Sequence, residues 1–227
     1  MGSGTLPIKA GGERWFWASA AVWGFASGLV LLLAGGDSLD FYLVSTVMAA
    51  ILVPLFVTRD SGWLAGVGTI AAGTAGVAAC WAWTAVAGPM TGRELIECSA
   101  VLAGVVAAAV FAVRLLVAGG ANVTLAKAAV VVSGLAWLAW PLWLTAAPPL
   151  LVRVHPLLGI NGVLASRLGI WTEQPVAYPL ISLGQDVGYQ LPPSPWAGAT
   201  VHLVAGVGMG LLATAIGRLR NRVHGGR

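Results

Sequence analysis

Six runs of mostly apolar residues, at 15–34, 39–57, 63–87, 99–118, 125–145 and 198–217, set the terms on which this chain can fold. Each is near the length of about 20 residues that a helix needs to cross a bilayer core, where every backbone N–H and C=O must be satisfied within the segment. The breaks between them hold turn formers and charge: Gly35-Gly36-Asp37, Arg59-Asp60-Ser61-Gly62, Gly88-Pro89 and Gly119-Gly120-Ala121-Asn122. A chain with 9% charged residues and mean hydropathy +0.87 is far from the average soluble domain, with about 25% charged residues. The pattern predicts an all-α membrane protein, one polytopic domain built as a six-transmembrane-helix bundle.

Lys and Arg set the orientation of such a bundle. With the N-terminus inside, Lys9, Arg14, Arg59, Arg114, Lys127, Arg218, Arg220, Arg222 and Arg227 fall at cytoplasmic ends, and Arg93, Arg153 and Arg167 fall outside. The even number of runs returns the basic 218–227 tail to the side where anionic headgroups attract it. The expectation is a bacterial inner-membrane protein with both termini cytoplasmic, a short 1–14 tail and an extracytoplasmic cap over 146–197. The first run follows Lys9 and Arg14 as a secretory signal would. It is long, however, and lacks a small-x-small cleavage site, so it reads as a retained span.

The expected spans leave no Asp, Glu, Lys or Arg at mid-depth, because Arg114 and Lys127 lie within snorkelling distance of the cytoplasmic ends. That argues against a proton pathway through a membrane carboxylate. Small residues recur at helical spacing instead. Gly24, Gly28, Gly62, Gly66, Gly104, Gly206 and Gly210 are the expected helix-packing positions, where close backbone approach replaces a hydrophobic drive that lipid does not supply. The same seams would also suit a second subunit. Trp137, Trp140 and Trp143 spiral along one side of the fifth run, as a packing or lipid-facing stripe or as a cavity wall. Pro54 and Pro141 are expected to break the helices that hold them. Cys80 and Cys98 match no metal or redox spacing and read as small inert residues, with a disulfide as the alternative.

The 146–197 segment is unlike the short connections elsewhere. Pro148-Pro149 opens it and Pro192-Pro193-Ser194-Pro195-Trp196 closes it. His155-Pro156 starts a helix with Pro in its first turn. Leu157, Ile160, Leu164 and Leu168 then give it one apolar face, over about three turns. It is too short to span, so it is expected to be interfacial, re-entrant, or packed back on the bundle. His155, Glu173 and Asp186 from this segment and His202 from the last run form a candidate outer-face polar cluster, suited to acid–base chemistry or a metal. A haem between His155 and His202 is a further reading. The plainer one has His155 capping its helix and His202 bonding a neighbouring helix, with no cofactor.

No Walker loop, dinucleotide fingerprint or nucleophile elbow is present. Basic residues form no patch interleaved with exposed aromatics, so nucleic acid is excluded as a partner. The partners expected are the lipid bilayer and other membrane subunits or further copies of the chain. Two functions follow: a non-catalytic permease-like or scaffold subunit of a larger complex, or a membrane enzyme or metal- or haem-binding protein with its site at the outer face. In its six spans, cytoplasmic ends and long outer segment before the last span, the outline is similar to ABC-2-type export permeases. That resemblance is one of topology alone and implies an export permease. The connections at 59–62 and 119–122 are short beside that pattern.

Overall fold

The computed structural model describes residues 28–29, 39–58, 62–87, 90–142, 147–169 and 190–225, and these are helical with no strand among them. In chain order the helices are α1 (Leu39–Leu52), α2 (Trp63–Ala87), α3 (Gly92–Ala118), α4 (Val123–Ala139), α5 (Pro149–Val154), α6 (Pro156–Leu168) and α7 (Trp196–Gly225). The two expected proline breaks are both present as 3-10 turns, Val53–Phe56 after α1 and Trp140–Leu142 after α4. Four stretches among the described residues are long and apolar enough to cross a membrane: Leu39–Phe56, Trp63–Val86, Gly92–Ala118 and Trp196–Val223. Helix α4 is as apolar but shorter. The expected first span lies outside the described residues, apart from Gly28–Leu29.

Helix α3 is the hub. It starts at Thr91, whose hydroxyl accepts from the Glu94 N–H while the Glu94 carboxylate accepts from the Thr91 N–H, a reciprocal cap. It therefore begins at Gly92 rather than at Ser99, where the apolar run begins. Helix α7 packs along it from about Gly104 onward, and α1, α2, α4 and α6 surround the rest. In the most apolar 18 residues of each spanning stretch, 61% of the α1 stretch and 50% of the α3 stretch are buried, against 22% for α2 and α7. The outer helices consequently carry exposed apolar side chains, including Leu64, Val86, Val132, Val204 and Leu211. In water such ribbons would be a liability; lipid is the solvent that suits them.

Named pairs fix the directions. Tyr42 Oη meets Thr84 Oγ1 at 2.7 Å and Trp81 Nε1 donates to Ser45 Oγ at 2.9 Å, so α1 and α2 are antiparallel. Each such bond within a membrane bundle contributes about 0.6 kcal/mol. Trp63 stacks on Phe111, which makes α2 and α3 antiparallel. The Gly119–Asn122 turn reverses the chain into α4, with Gly120 at φ +106°. A Cβ on Gly104 would stand 2.8 Å from the Ala199 carbonyl, and one on Gly206 2.8 Å from Ala107. Further along, Gly210 meets Trp63 and Phe111, and Arg220 Nη1 donates to the Ala118 carbonyl at 3.2 Å. Helices α3 and α7 thus run parallel, in register, over four contacts.

One end of the bundle therefore holds Arg114, Lys127 and Arg220. The other holds Asp40, Glu94 and Glu97 with Arg93 and Arg167. Gly28 and Gly62, which the spacing puts among the packing positions, have open space where a Cβ would stand. Gly66 faces Arg114 and Phe111 side chains at 3.1–3.3 Å, and Gly24 lies outside the described residues.

Candidate functional site

Pro141 creates the local need around which this site is built. It has no N–H, so the Trp137 carbonyl one turn earlier loses its usual helical donor. A buried carbonyl left without any donor would cost about 1–3 kcal/mol. His155 supplies the replacement: its Nε2 lies 3.0 Å from the Trp137 oxygen. The other ring nitrogen, Nδ1, accepts from the Leu158 N–H at 3.3 Å and so caps the start of α6. These two bonds fix a neutral imidazole carrying its proton on Nε2.

Across the indole stands His202 of α7. Trp137 Nε1 donates to His202 Nε2 at 3.1 Å, and His202 Nδ1 donates to the Gly198 carbonyl at 2.7 Å. This ring is also neutral, with the opposite tautomer. Trp137 lies between the two, its ring centroid 5.3 Å from that of His155 and 6.1 Å from that of His202. Trp140 completes the group edge-on to His155 at 5.0 Å. Helix α7 can reach this point because Gly104 has no side chain: a Cβ there would lie 3.3 Å from the Cβ of His202.

His155 is 0% exposed. It lies between the spans, and burial pushes its imidazole down from 6.5 to about 3; the Trp137 carbonyl opposes this and the neighbouring His202 adds to it. At neutral pH it is not a proton donor to solvent.

Of the four residues singled out in the sequence, the structure describes His155 and His202 and brings both to one indole. Glu173 and Asp186 lie outside the described residues. The donor set that is described does not suit a metal or haem: His155 Nδ1 and His202 Nε2, the lone pairs a ligand atom would need, each already accept a hydrogen bond. Among the described residues no three His, Cys, Asp or Glu are grouped to hold a metal ion. Cys80 and Cys98 are not bonded to each other.

Trp137 as the bridge is not evident from the polar residues of the sequence. Its signal was available in the spacing, since a tryptophan four residues before Pro141 is the one whose carbonyl loses its donor. The same indole lines an apolar groove of about 520 Å³ with His202, Val105, Ala108, Val130 and Met209. The short helix α6 is also more deeply set than one apolar face implies. Leu157, Leu158, Gly159, Ile160, Asn161 and Leu164 are all buried, against α1, α3 and the chain before α7. Gly162 admits the Pro192 carbonyl, and Arg167 pairs with Glu94 at 3.3 Å across α6 and α3.

No family model, no curated protein and no solved structure matches this chain.

Proposed function

We propose that this chain is a six-span bacterial inner-membrane protein with both termini in the cytoplasm, acting as a non-catalytic permease-like or scaffold subunit of a larger membrane complex. The observation that carries the reading is the use made of His155 and His202. Each has both ring nitrogens engaged in holding α4, α6 and α7 together, and neither is left to act on a substrate. The alternating helix directions and the basic end at Arg114, Lys127 and Arg220 support the orientation, since basic residues collect on the cytoplasmic side. The exposed apolar ribbons of α2, α4 and α7 support contact with lipid and with further subunits or copies.

Orientation is tested by single cysteines in a C80A/C98A background, labelled from either side of the membrane. T5C, A121C and H224C should react only from the cytoplasmic side, and G92C and S194C only from outside. Opposite sides for T5C and H224C would mean an odd number of spans and end the six-span reading. Function is tested by purification in mild detergent: the chain should travel in an assembly larger than its 23.1 kDa, and H202A should still enter it. A strictly monomeric protein carrying stoichiometric metal would sink the scaffold reading.

A further inference from the structure

The two short helices before α7 meet different fates. Helix α6 is sunk into the bundle, whereas α5 (Pro149–Val154) buries only Val152. Leu150 is 69% exposed and Trp196, where α7 begins, is 47% exposed; Leu151 and Arg153 are exposed as well. An apolar patch with a tryptophan and an arginine at its rim is the composition of a membrane interface. There an indole finds an apolar and a polar partner together, and an Arg stem can lie along lipid while its head stays among phosphates.

Geometry fixes the depth of this patch. The spanning stretch Trp196–Val223 has 28 residues, so it is about 42 Å long. A hydrocarbon core is about 30 Å thick, and about 40–45 Å with its headgroups. Trp196 therefore stands in the headgroup layer at the acidic end of the bundle. Gly198 lies half a turn deeper, and a Cβ there would be 3.1 Å from the Val154 carbonyl oxygen and 3.8 Å from that of Arg153. The end of α5 is thus pinned at the level of Gly198. Leu150 and Leu151 come four and three residues earlier, which is at most about 6 Å of helix. Whichever way α5 points, they stay close to the boundary between headgroups and acyl chains. They also adjoin the turn from which the exposed apolar ribbon of α7 starts, through Val201 and Val204.

We infer that α5 is an interfacial anchor, with Leu150, Leu151 and Trp196 in the headgroup–acyl boundary of the outer leaflet. The partner is the lipid surface itself. The residue that follows α5 is His155, whose N–H donates to the Val152 carbonyl at 3.3 Å, so the anchor holds the start of α6 at a set depth. This inference rests on the membrane reading above.

The test places single spin-labelled cysteines in the full chain, in a C80A/C98A background, reconstituted in vesicles of phosphatidylcholine and phosphatidylglycerol. Collision with oxygen, which concentrates in the bilayer, is compared with collision with a nickel chelate, which stays in water. V204C, on the exposed face of α7, marks the lipid end of the scale, and S194C, at an exposed residue before α7, marks the water end. L150C and L151C should give oxygen-to-nickel ratios above that of S194C and below that of V204C. Ratios at both positions equal to that of S194C would put α5 in water and overturn the anchor. Weak collision with both reagents would overturn it too, because protein and not lipid would then cover α5. If V204C itself shows no preference for oxygen, the membrane reading fails and the anchor with it; with V204C in lipid, a failure at 150 and 151 belongs to α5 alone.

Discussion

The two ends of the parallel α3–α7 pair solve the same problem in opposite ways. At both ends a helix finishes with carbonyls that have lost their helical donors, part-buried at one end and exposed at the other. Near Trp137 the repair is neutral and closed: His155, Trp137, His202 and Gly198 satisfy one another in a chain, and α6 covers them. Near Arg114 the repair is cationic and open. Lys127 donates to the Leu55 carbonyl at 2.6 Å just past Pro54, Arg220 donates to the Ala118 carbonyl, and Arg114 has a buried nitrogen with no partner beside a cavity. A neutral end has nothing to gain from a ligand. The cationic end keeps a cavity and a buried Arg114 nitrogen beside it, so the two ends differ in both charge and closure.

The glycine seam is common to both ends, and breaking it should have the largest effect. Gly206 lies against the backbone of Ala107 and Ala108, with no flexible side chain to give way. G206L should separate α3 from α7 and cost about 3 kcal/mol or more, or prevent stable insertion. A variant of wild-type thermal stability in detergent would mean that the two helices are not held by this contact.

The closed end comes next. H155A removes the donor to Trp137 and the cap of α6 together, leaving two buried backbone groups unpaired, and should cost roughly 3 kcal/mol. H202A removes one acceptor in a less buried place and should cost about 1 kcal/mol. Equal losses in thermal unfolding would show that the two histidines are interchangeable and that Pro141 creates no special need. The pH dependence has a definite sign. Native His155 stays neutral down to about 3, whereas the unfolded chain takes up a proton near 6.5. Stability from this group is therefore full above 6.5, falls as the pH drops below it, and is gone once the pH has passed through the folded value. Against H155Q, the wild type should lose more stability between pH 7 and pH 5.

How much of this was legible in the sequence depends on the range of the cause. Hydropathy and turn residues are local, so α2 is expected at 63–87 and found at Trp63–Ala87, and both proline breaks fall where they are expected. Glycine spacing is also local, but what faces a glycine is not. Gly104, Gly206 and Gly62 look alike in the sequence, yet the first two meet backbone and Gly62 meets nothing within 4 Å. Helix α6 shows the same limit. Its apolar face is readable from Leu157, Ile160 and Leu164, but burial of Leu158 and Asn161 on other sides depends on elements that arrive from elsewhere in the chain. His155 and His202 stand out in the sequence by their chemistry. Their meeting at Trp137 depends on a three-way packing that no spacing encodes. Arg114 reads as a snorkelling residue because its distance from the span end is visible, whereas the burial of its Nη1 atom is a property of the assembled end.

The smallest change in stability should come from the open end, and it sharpens the contrast most. R114Q removes a charge whose Nη1 atom is buried without a partner. Little native bonding is lost with it, and the penalty for burying that nitrogen is relieved. R114Q should unfold within about 1 kcal/mol of the wild type, on either side, unlike H155A. A large loss of stability in R114Q would instead make Arg114 a structural residue, and the two ends of the pair would differ in charge but not in role.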